Sequence, residues 1–199
     1  VQNILSKCDH TLLLQTATWE QIKKICDEGM LYHTASVCIP PSYVKQAKEY
    51  VGDKLAICTV IGFPNGYNTT AVKVFETKDA IANGADEIDM VLNSGKLKDG
   101  EFDFIVEEII KIKAACQGKV LKVILETDLL SSNEIKAACE FCIKGGADFV
   151  KTSTGFVKNG VGAKVEDVSL MYETVKNAGL GVKASGGVRD RDSALAMIK

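Results

Sequence analysis

Residues 148–156 read Asp148-Phe149-Val150-Lys151-Thr152-Ser153-Thr154-Gly155-Phe156. Phe149 and Val150 begin a buried strand, and Lys151 stands where that strand should still be inside. Three small hydroxyl residues and a glycine follow at once. An ammonium is costly to take out of water, so a lysine held inside a strand shifts its pKa downward or finds a partner. A neutral amine at the mouth of a strand is a nucleophile that traps carbonyl carbon. Alone, the segment reads more simply as a strand running out into water. The flanking sequence has to decide between the two.

Working outward, Asn83-Gly84-Ala85-Asp86-Glu87-Ile88-Asp89 matches Gly145-Gly146-Ala147-Asp148-Phe149-Val150-Lys151 in its Gly-Ala-Asp core, 62 residues later. Each glycine is expected to end a helix in the left-handed conformation, with a strand starting at the same phase behind it. Asp89 and Lys151 then occupy the same step of two strands. Lys183, four residues beyond Gly179, lies near that depth.

The rest of the chain repeats the pattern, short apolar runs alternating with amphipathic segments. Strands are expected at Ile4–Leu13, Thr34–Ile39, Leu55–Ile61, Glu87–Leu92, Val120–Glu126, Phe149–Thr152 and Gly181–Ala184. Helices are expected at Thr18–Glu28 (Ile22, Ile25 and Cys26 on one face), from a Ser42 cap to Tyr50, and over Thr70–Asn83, Phe102–Ala115, Ser132–Lys144, Lys164–Ala178 and Asp190–Lys199. Asn68-Thr69-Thr70 fits a glycosylation pattern and reads as the loop entering a helix. Strand–helix alternation with near-continuous apolar strands means a parallel sheet covered by helices. A doubly wound open sheet would carry a phosphate loop after its first strand, and neither Gly-x-Gly-x-x-Gly nor a Walker pattern occurs there. A (β/α)8 TIM barrel puts its chemistry at the carboxyl ends of several strands, where the odd charges fall. The barrel is the expected α/β fold, in one domain over residues 1–199; seven strands are counted where closure needs eight, so either the eighth strand is missing from this sequence or the count is short by one.

Composition narrows the function classes. The chain has 199 residues, 46% hydrophobic and 25% charged, with a formal net charge of −2. There is no basic stripe for nucleic acid, so phosphate must be held locally. No apolar run is long enough for a membrane span, and the opening residues lack a signal pattern, so a soluble, cytoplasmic protein is expected. Seven cysteines read as reduced thiols. Cys139 and Cys142 spell C-x-x-C inside a helical run, without a second pair or a histidine cluster, and read as buried thiols rather than a redox or zinc site.

Alternation sets Glu87, Asp89 and Val91 on one face, with Lys122, Ile124 and Glu126, then Phe149, Lys151 and Ser153, then Gly181, Lys183 and Ser185 on the matching faces. If helices cover the outside, these charges face the barrel interior, and Lys122, Lys151 and Lys183 converge with Asp89. A free lysine has a pKa of about 10.4, and a second ammonium or burial lowers it. Lys151 is therefore expected to be held near neutral by a cationic neighbour, with Asp89 ionised and carrying protons. Two lysines and an aspartate suit an imine mechanism. Metal-assisted carbonyl chemistry would want histidines beyond His10 and His33, so no metal or cofactor is expected. Ser153-Thr154-Gly155 and Ser185-Gly186-Gly187 offer backbone N–H groups in turns at the mouth, where barrels commonly hold phosphate, although such glycines equally serve to make tight turns.

Taken together, FVKTSTGF (149–156), EIDMVLN (87–93), GVKASGGVRD (181–190), DHTLL (9–13) and LKVILET (121–127) resemble the deoxyribose-phosphate aldolase family, class I aldolases with a TIM barrel. The resemblance runs through essentially the whole chain. It implies that Lys151 is the Schiff-base lysine and that Asp89 and Lys183 form the proton-relay pair. It places Asp9, Cys38 and Lys122 near the substrate pocket, and Thr154, Gly155, Gly186 and Gly187 in turns facing the phosphate. The implied reaction is reversible cleavage of 2-deoxy-D-ribose 5-phosphate to glyceraldehyde 3-phosphate and acetaldehyde, in deoxynucleoside catabolism. The implied partner is a small phosphorylated sugar, and the implied assembly a homo-oligomer, dimer or tetramer. Leu14-Gln15 and Val157-Lys158-Asn159 depart from the family in loops, and the sequence stops at Lys199 before the family's eighth strand with its glycine–threonine–serine turn. Two other readings stay open: another imine-forming phosphosugar aldolase, and a non-catalytic metabolite-binding or thiol-regulated barrel.

Overall fold

The structure is a computed structural model describing residues 2–198. A short helix α1 (Gln2–Leu5) precedes strand β1 (Asp9–Thr11), and strands and helices then alternate: α2 (Trp19–Tyr32), β2 (Ser36–Ile39), α3 (Val44–Val51), β3 (Ala56–Ile61), α4 (Thr70–Ala82), β4 (Glu87–Val91). Two helices, α5 (Ser94–Lys98) and α6 (Phe102–Ala115), lead to β5 (Val120–Ile124). The chain continues through α7 (Ser132–Gly145), β6 (Phe149–Lys151), α8 (Val165–Val175), β7 (Gly181–Lys183) and α9 (Arg191–Met197). Helix starts follow capping chemistry. Thr18 and Ser131 form reciprocal capping boxes with Gln21 and Glu134, and Thr69 accepts from the Val72 N–H.

All seven strands are parallel and ordered β1 to β7 in sequence. Laid flat, such a sheet would hold its edge strands roughly 29 Å apart at about 4.8 Å per step. Instead Asp9 of β1 and Lys183 of β7 meet, carboxylate to ammonium, at 2.7 Å. The sheet is therefore curled, and its inner face encloses a common interior, as in a TIM barrel. Between the sheet and its helices lies the main core, with Val37, Ile39, Ile57, Ile61, Ile88, Met90, Leu121, Val123 and Val150 packed against Ile22, Ile105, Ile109, Ile112 and Ile135. A small separate cluster, Cys38, Cys58 and Val60, lies on the inner face. Strand alternation thus sends apolar side chains outward beneath the helices and leaves charged ones for the interior.

Several boundaries differ from expectation. The first strand does not begin at Ile4: α1 and the turn closed by Cys8 N–H on Leu5 C=O take that segment, and only Asp9–Thr11 pair with Ser36–Cys38. Ser42 does not cap α3; it sits inside a 3-10 turn, Pro41–Tyr43, that leads into the helix. Helix α5 escaped the periodicity because its five residues are too few to show one; Asn93 caps it by accepting from the Lys96 N–H. Strand β5 ends at Ile124, since Glu126 turns left-handed at φ 61°. Of the last helix, Asp190 is the cap and Arg191–Met197 the body, and Lys199 lies outside the described residues. The duplicated Gly-Ala-Asp turns agree with expectation, with Gly84 and Gly146 at φ 100° and 76°.

Candidate active site

Register brings the charges together. Asp89 on β4 pairs in register with Lys122 on β5, and Lys151 on β6 with Lys183 on β7. Lys151 Nζ donates to Asp89 Oδ2 at 2.6 Å, and Lys122 Nζ donates to Asp89 Oδ1 at 3.0 Å. Lys183 Nζ lies 2.7 Å from Asp9 Oδ2, and Lys122 Nζ lies 3.3 Å from the same oxygen. Lys122 also donates to Glu87 Oε2 at 2.5 Å and to Cys58 Sγ at 3.4 Å. Three lysines and three carboxylates thus form one chain, Lys151–Asp89–Lys122–Asp9–Lys183, with Glu87 on its central lysine. Asp89, Lys122 and Lys151 are buried, so the pairing is what makes their charges tolerable.

This arrangement corrects the expected electrostatics. The neighbour that governs Lys151 is a carboxylate. Burial works against its charge, but Asp89 outweighs burial and holds the Lys151 ammonium above the ordinary lysine range. Asp89 is correspondingly ionised: burial alone would raise it, and Lys151 and Lys122 together hold it well below the usual carboxylate range. Lys122, opposed by burial and supported by Cys58 and the three carboxylates, is a fixed cation. Asp89 and Lys183 do not contact each other among the described ion pairs. Lys183 reaches Asp9, whose carboxyl, despite burial, is lowered by Lys183 and Lys122. The expected pair is therefore two pairs joined by Lys122. Burial raises the Glu87 carboxyl, with Lys122 opposing it.

A cavity of about 1240 Å³ opens on the β1–β7 side of the sheet, lined by Asp9, Lys151, Ser153, Thr154, Lys183 and Gly186 of the strands and their turns and by Tyr32, Val168, Tyr172 and Met197 of the flanking helices α2, α8 and α9. Of the expected site residues, Cys38, Asp89 and Lys122 lie buried and off its lining, and Gly155 and Gly187 are exposed at its rim. The rim is two glycine turns packed on each other. Gly155, Gly162, Gly186 and Gly187 all have positive φ, 76° to 82°, and a Cβ on Gly162 would sit 2.4 Å from the Gly186 carbonyl oxygen. Below them Thr152 and Ser185 extend the β6–β7 pairing through side chains: Thr152 Oγ1 donates to Ser185 C=O and accepts from Ser185 N–H, each at 3.0 Å.

Sequence parity set Glu87, Glu126 and Ser153 on the inner face without giving their side chains a role, and Cys58 was missed altogether. Ser153 Oγ is buried beside the cavity without a hydrogen-bond partner in this structure. Glu87 and Glu126 share strand parity with Asp89 and Lys122, and that parity was the available signal. Cys58 faces Cys38 in register across β2 and β3 and donates its thiol to Asp89 Oδ1 at 3.3 Å. Cys38, Cys58 and Asp89 bring donor atoms within 4.8 Å of one another, as do Asp9, Cys58 and Glu87, which is ligand-like spacing. The Lys122 ammonium touches Cys58 and all three carboxylates, so a side-chain cation already sits at the centre of these groups. Cys139 and Cys142 are free thiols in the helix–sheet core, and burial pushes Cys139 up to about 12.

A family model described as DeoC/LacD family aldolase matches residues 4–199. Deoxyribose-phosphate aldolase of Streptococcus pyogenes serotype M28 (strain MGAS6180) is 56% identical over 198 residues, covering 100% of this chain and 87% of that protein. The deoxyribose-phosphate aldolase of Streptococcus agalactiae serotype Ia is 57% identical over 194 residues, 98% of this chain and 86% of the relative. Among solved structures, one described as QR15, an aldolase, superposes with a TM-score of 0.93 at 39% identity, over 98% of this chain and 87% of that one. The deoxyribose phosphate aldolase from Aeropyrum pernix, described as having a unique tetrameric structure, superposes with a TM-score of 0.90 at 30% identity, over 99% and 83%.

Proposed function

The chain belongs to the DeoC/LacD family of aldolases, and from that premise and the geometry above we propose that Lys151 carries a Schiff-base retro-aldol reaction. The protein is a deoxyribose-phosphate aldolase of class I, a lyase that cleaves 2-deoxy-D-ribose 5-phosphate reversibly to D-glyceraldehyde 3-phosphate and acetaldehyde. The observation that supports the assignment of roles is the 2.6 Å contact between Lys151 Nζ and Asp89 Oδ2, beside a cavity that Lys151 lines.

In this reading Lys151 first gives up a proton, and its nitrogen then attacks the open-chain aldehyde carbon. The carbonyl oxygen takes a proton to give a carbinolamine, which loses water to an iminium. The C2–C3 bond breaks with its electron pair moving into the iminium, while the C3 hydroxyl loses its proton and leaves as the aldehyde of glyceraldehyde 3-phosphate. The remaining enamine is protonated at carbon, and water releases acetaldehyde and regenerates Lys151. The iminium is itself the electron sink, so this chemistry needs no cofactor. Asp89 moves protons at the Lys151 nitrogen, and the Asp9–Lys183 pair moves them at substrate oxygen atoms. Lys122 keeps both carboxylates ionised. The glycine turns at 155 and 186–187 offer N–H groups to the phosphate.

Residues 1–199 act in this reading as one barrel unit. A homo-oligomer is our proposal for the assembly, supported by the tetramer described for the Aeropyrum pernix relative. No described helix is long and apolar enough to cross a membrane; a cytoplasmic location is our reading from the family. The test is product formation. With 2-deoxy-D-ribose 5-phosphate the protein should release acetaldehyde and glyceraldehyde 3-phosphate in equal amounts, followed with a coupled dehydrogenase, and Lys151→Met should abolish both. Product formation by the Lys151→Met variant at the wild-type rate would remove Lys151 from the mechanism.

A further inference from the structure

Glu126 carries three features that the aldolase mechanism does not use. It is buried, at 3% exposure. Its backbone is left-handed at φ 61°, a strained choice for a residue with a Cβ, and such strain persists where the surroundings over-determine it. Its carboxylate is given to a single residue of the cavity wall. Thr154 N–H donates to Oε1 at 3.1 Å and to Oε2 at 3.3 Å, and the Thr154 hydroxyl makes a short bond to Oε2. Burial raises the Glu126 carboxyl, and these Thr154 bonds oppose that rise.

The hydrogen-bond inventory of Thr154 is then nearly closed. A carboxylate only accepts, so the hydroxyl proton points at Glu126, and the backbone N–H is bound there too. Thr154 Oγ1 accepts from the Phe156 N–H at 3.0 Å. What the Thr154 side chain can still present to the cavity is one lone pair of Oγ1. Neither its N–H nor its hydroxyl is free to donate to a phosphate oxygen, so the phosphate-facing role expected from sequence falls to the glycine turns.

We propose that Glu126 is a positioning residue that fixes Thr154 as a hydrogen-bond acceptor for a hydroxyl of the substrate. This rests on the aldolase reading and deepens it, because it makes the wall beside Lys151 selective for a polyhydroxylated chain over a simple aldehyde. The glutamate touches no substrate and acts through the threonine.

The test compares wild type, Glu126→Gln, Thr154→Val and the double variant, with two readouts. One is KM and kcat for 2-deoxy-D-ribose 5-phosphate. The other is borohydride trapping on Lys151 of acetaldehyde, which carries no hydroxyl. An amide can donate as well as accept, so Glu126→Gln frees the Thr154 hydroxyl to reorient. The expected result is a roughly tenfold rise in KM with a smaller change in kcat, exceeding any loss in acetaldehyde trapping by about the same factor. Thr154→Val should give a similar loss, and the double variant no more than either single one. An unchanged KM in Glu126→Gln, losses that multiply in the double variant, or equal losses for both ligands would overturn the proposal. Should Glu126→Gln fail to fold, Thr154→Val decides alone, since an unchanged KM there also overturns it. Wild-type turnover serves as the separate control: if it is absent, the aldolase reading fails first.

Discussion

At the scale of single residues, the site is a question of which charge stands next to which. Two ammoniums at register positions 151 and 183 suggest mutual repulsion, yet each lysine has its own carboxylate, Asp89 at 2.6 Å and Asp9 at 2.7 Å. An opposite charge at such distances moves a pKa by about one to three units toward the charged form. Asp89→Asn should therefore move the proton loss of Lys151 to lower pH. Measured as the pH dependence of borohydride trapping, the alkaline limb should shift down by more than about one unit; an unshifted limb would mean that Asp89 does not govern the amine. Because Asp89 is also expected to carry protons, kcat for the full reaction should fall about a hundredfold or more in the same variant. The two readouts thus separate amine ionisation from proton transfer.

At the scale of elements, what fixes the wall of the site is the way helices and turns are tied to the strands. Lys73 of α4 is fully buried, donating to Glu108 Oε2 of α6 at 2.8 Å and to the Val91 carbonyl at the end of β4 at 2.9 Å. Lys73→Met leaves the Glu108 carboxylate buried beside Thr70 alone, and should cost about 3–5 kcal/mol in chemical denaturation, with much of the loss recovered when Glu108 is also made apolar. At the rim, Gly162→Ala should cost about 1–3 kcal/mol and loosen the glycine turns proposed to hold the phosphate, because φ 77° strains any side chain and the new Cβ meets the Gly186 carbonyl; a KM for substrate that does not rise would show the turns bear no part in binding. The strands and long helices were readable in advance because their periods of 2 and 3.6 repeat, as in Phe102–Ala115, whose bounds agree residue for residue. Segments without a period were not readable. Helix α5 is shorter than two turns, the Pro41–Tyr43 turn is held by local bonding, and Glu126 leaves the strand through a backbone angle that its residue type disfavours.

At the scale of the whole molecule, curling the sheet is what turns separate strand ends into one site. Sequence parity put Asp89, Lys122, Lys151 and Lys183 on the inner face correctly. It could not say which lysine meets which carboxylate, because Asp9 on β1 reaches Lys183 on β7 only through the curl. The same network couples stability to acid. Asp89 and Asp9 have pKa values below their ordinary ones in the fold, so the stability they contribute is present above about pH 4 and is lost as the pH falls toward their folded values. Glu87 and Glu126, raised by burial, contribute in the opposite sense and gain as they protonate. Thermal scans should show the melting temperature dropping steeply below about pH 4, and less steeply in Asp89→Asn; equal slopes would mean the network is not what acid breaks. The central claim is that the amine of Lys151, and no other, holds the sugar aldehyde, and it is tested by reducing the protein with borohydride in the presence of 2-deoxy-D-ribose 5-phosphate and mapping the peptides by mass spectrometry. The account predicts one modified residue, Lys151, carrying an acetaldehyde-derived ethyl group or the reduced sugar; an unmodified Lys151 beside a labelled Lys122 or Lys183 would contradict it.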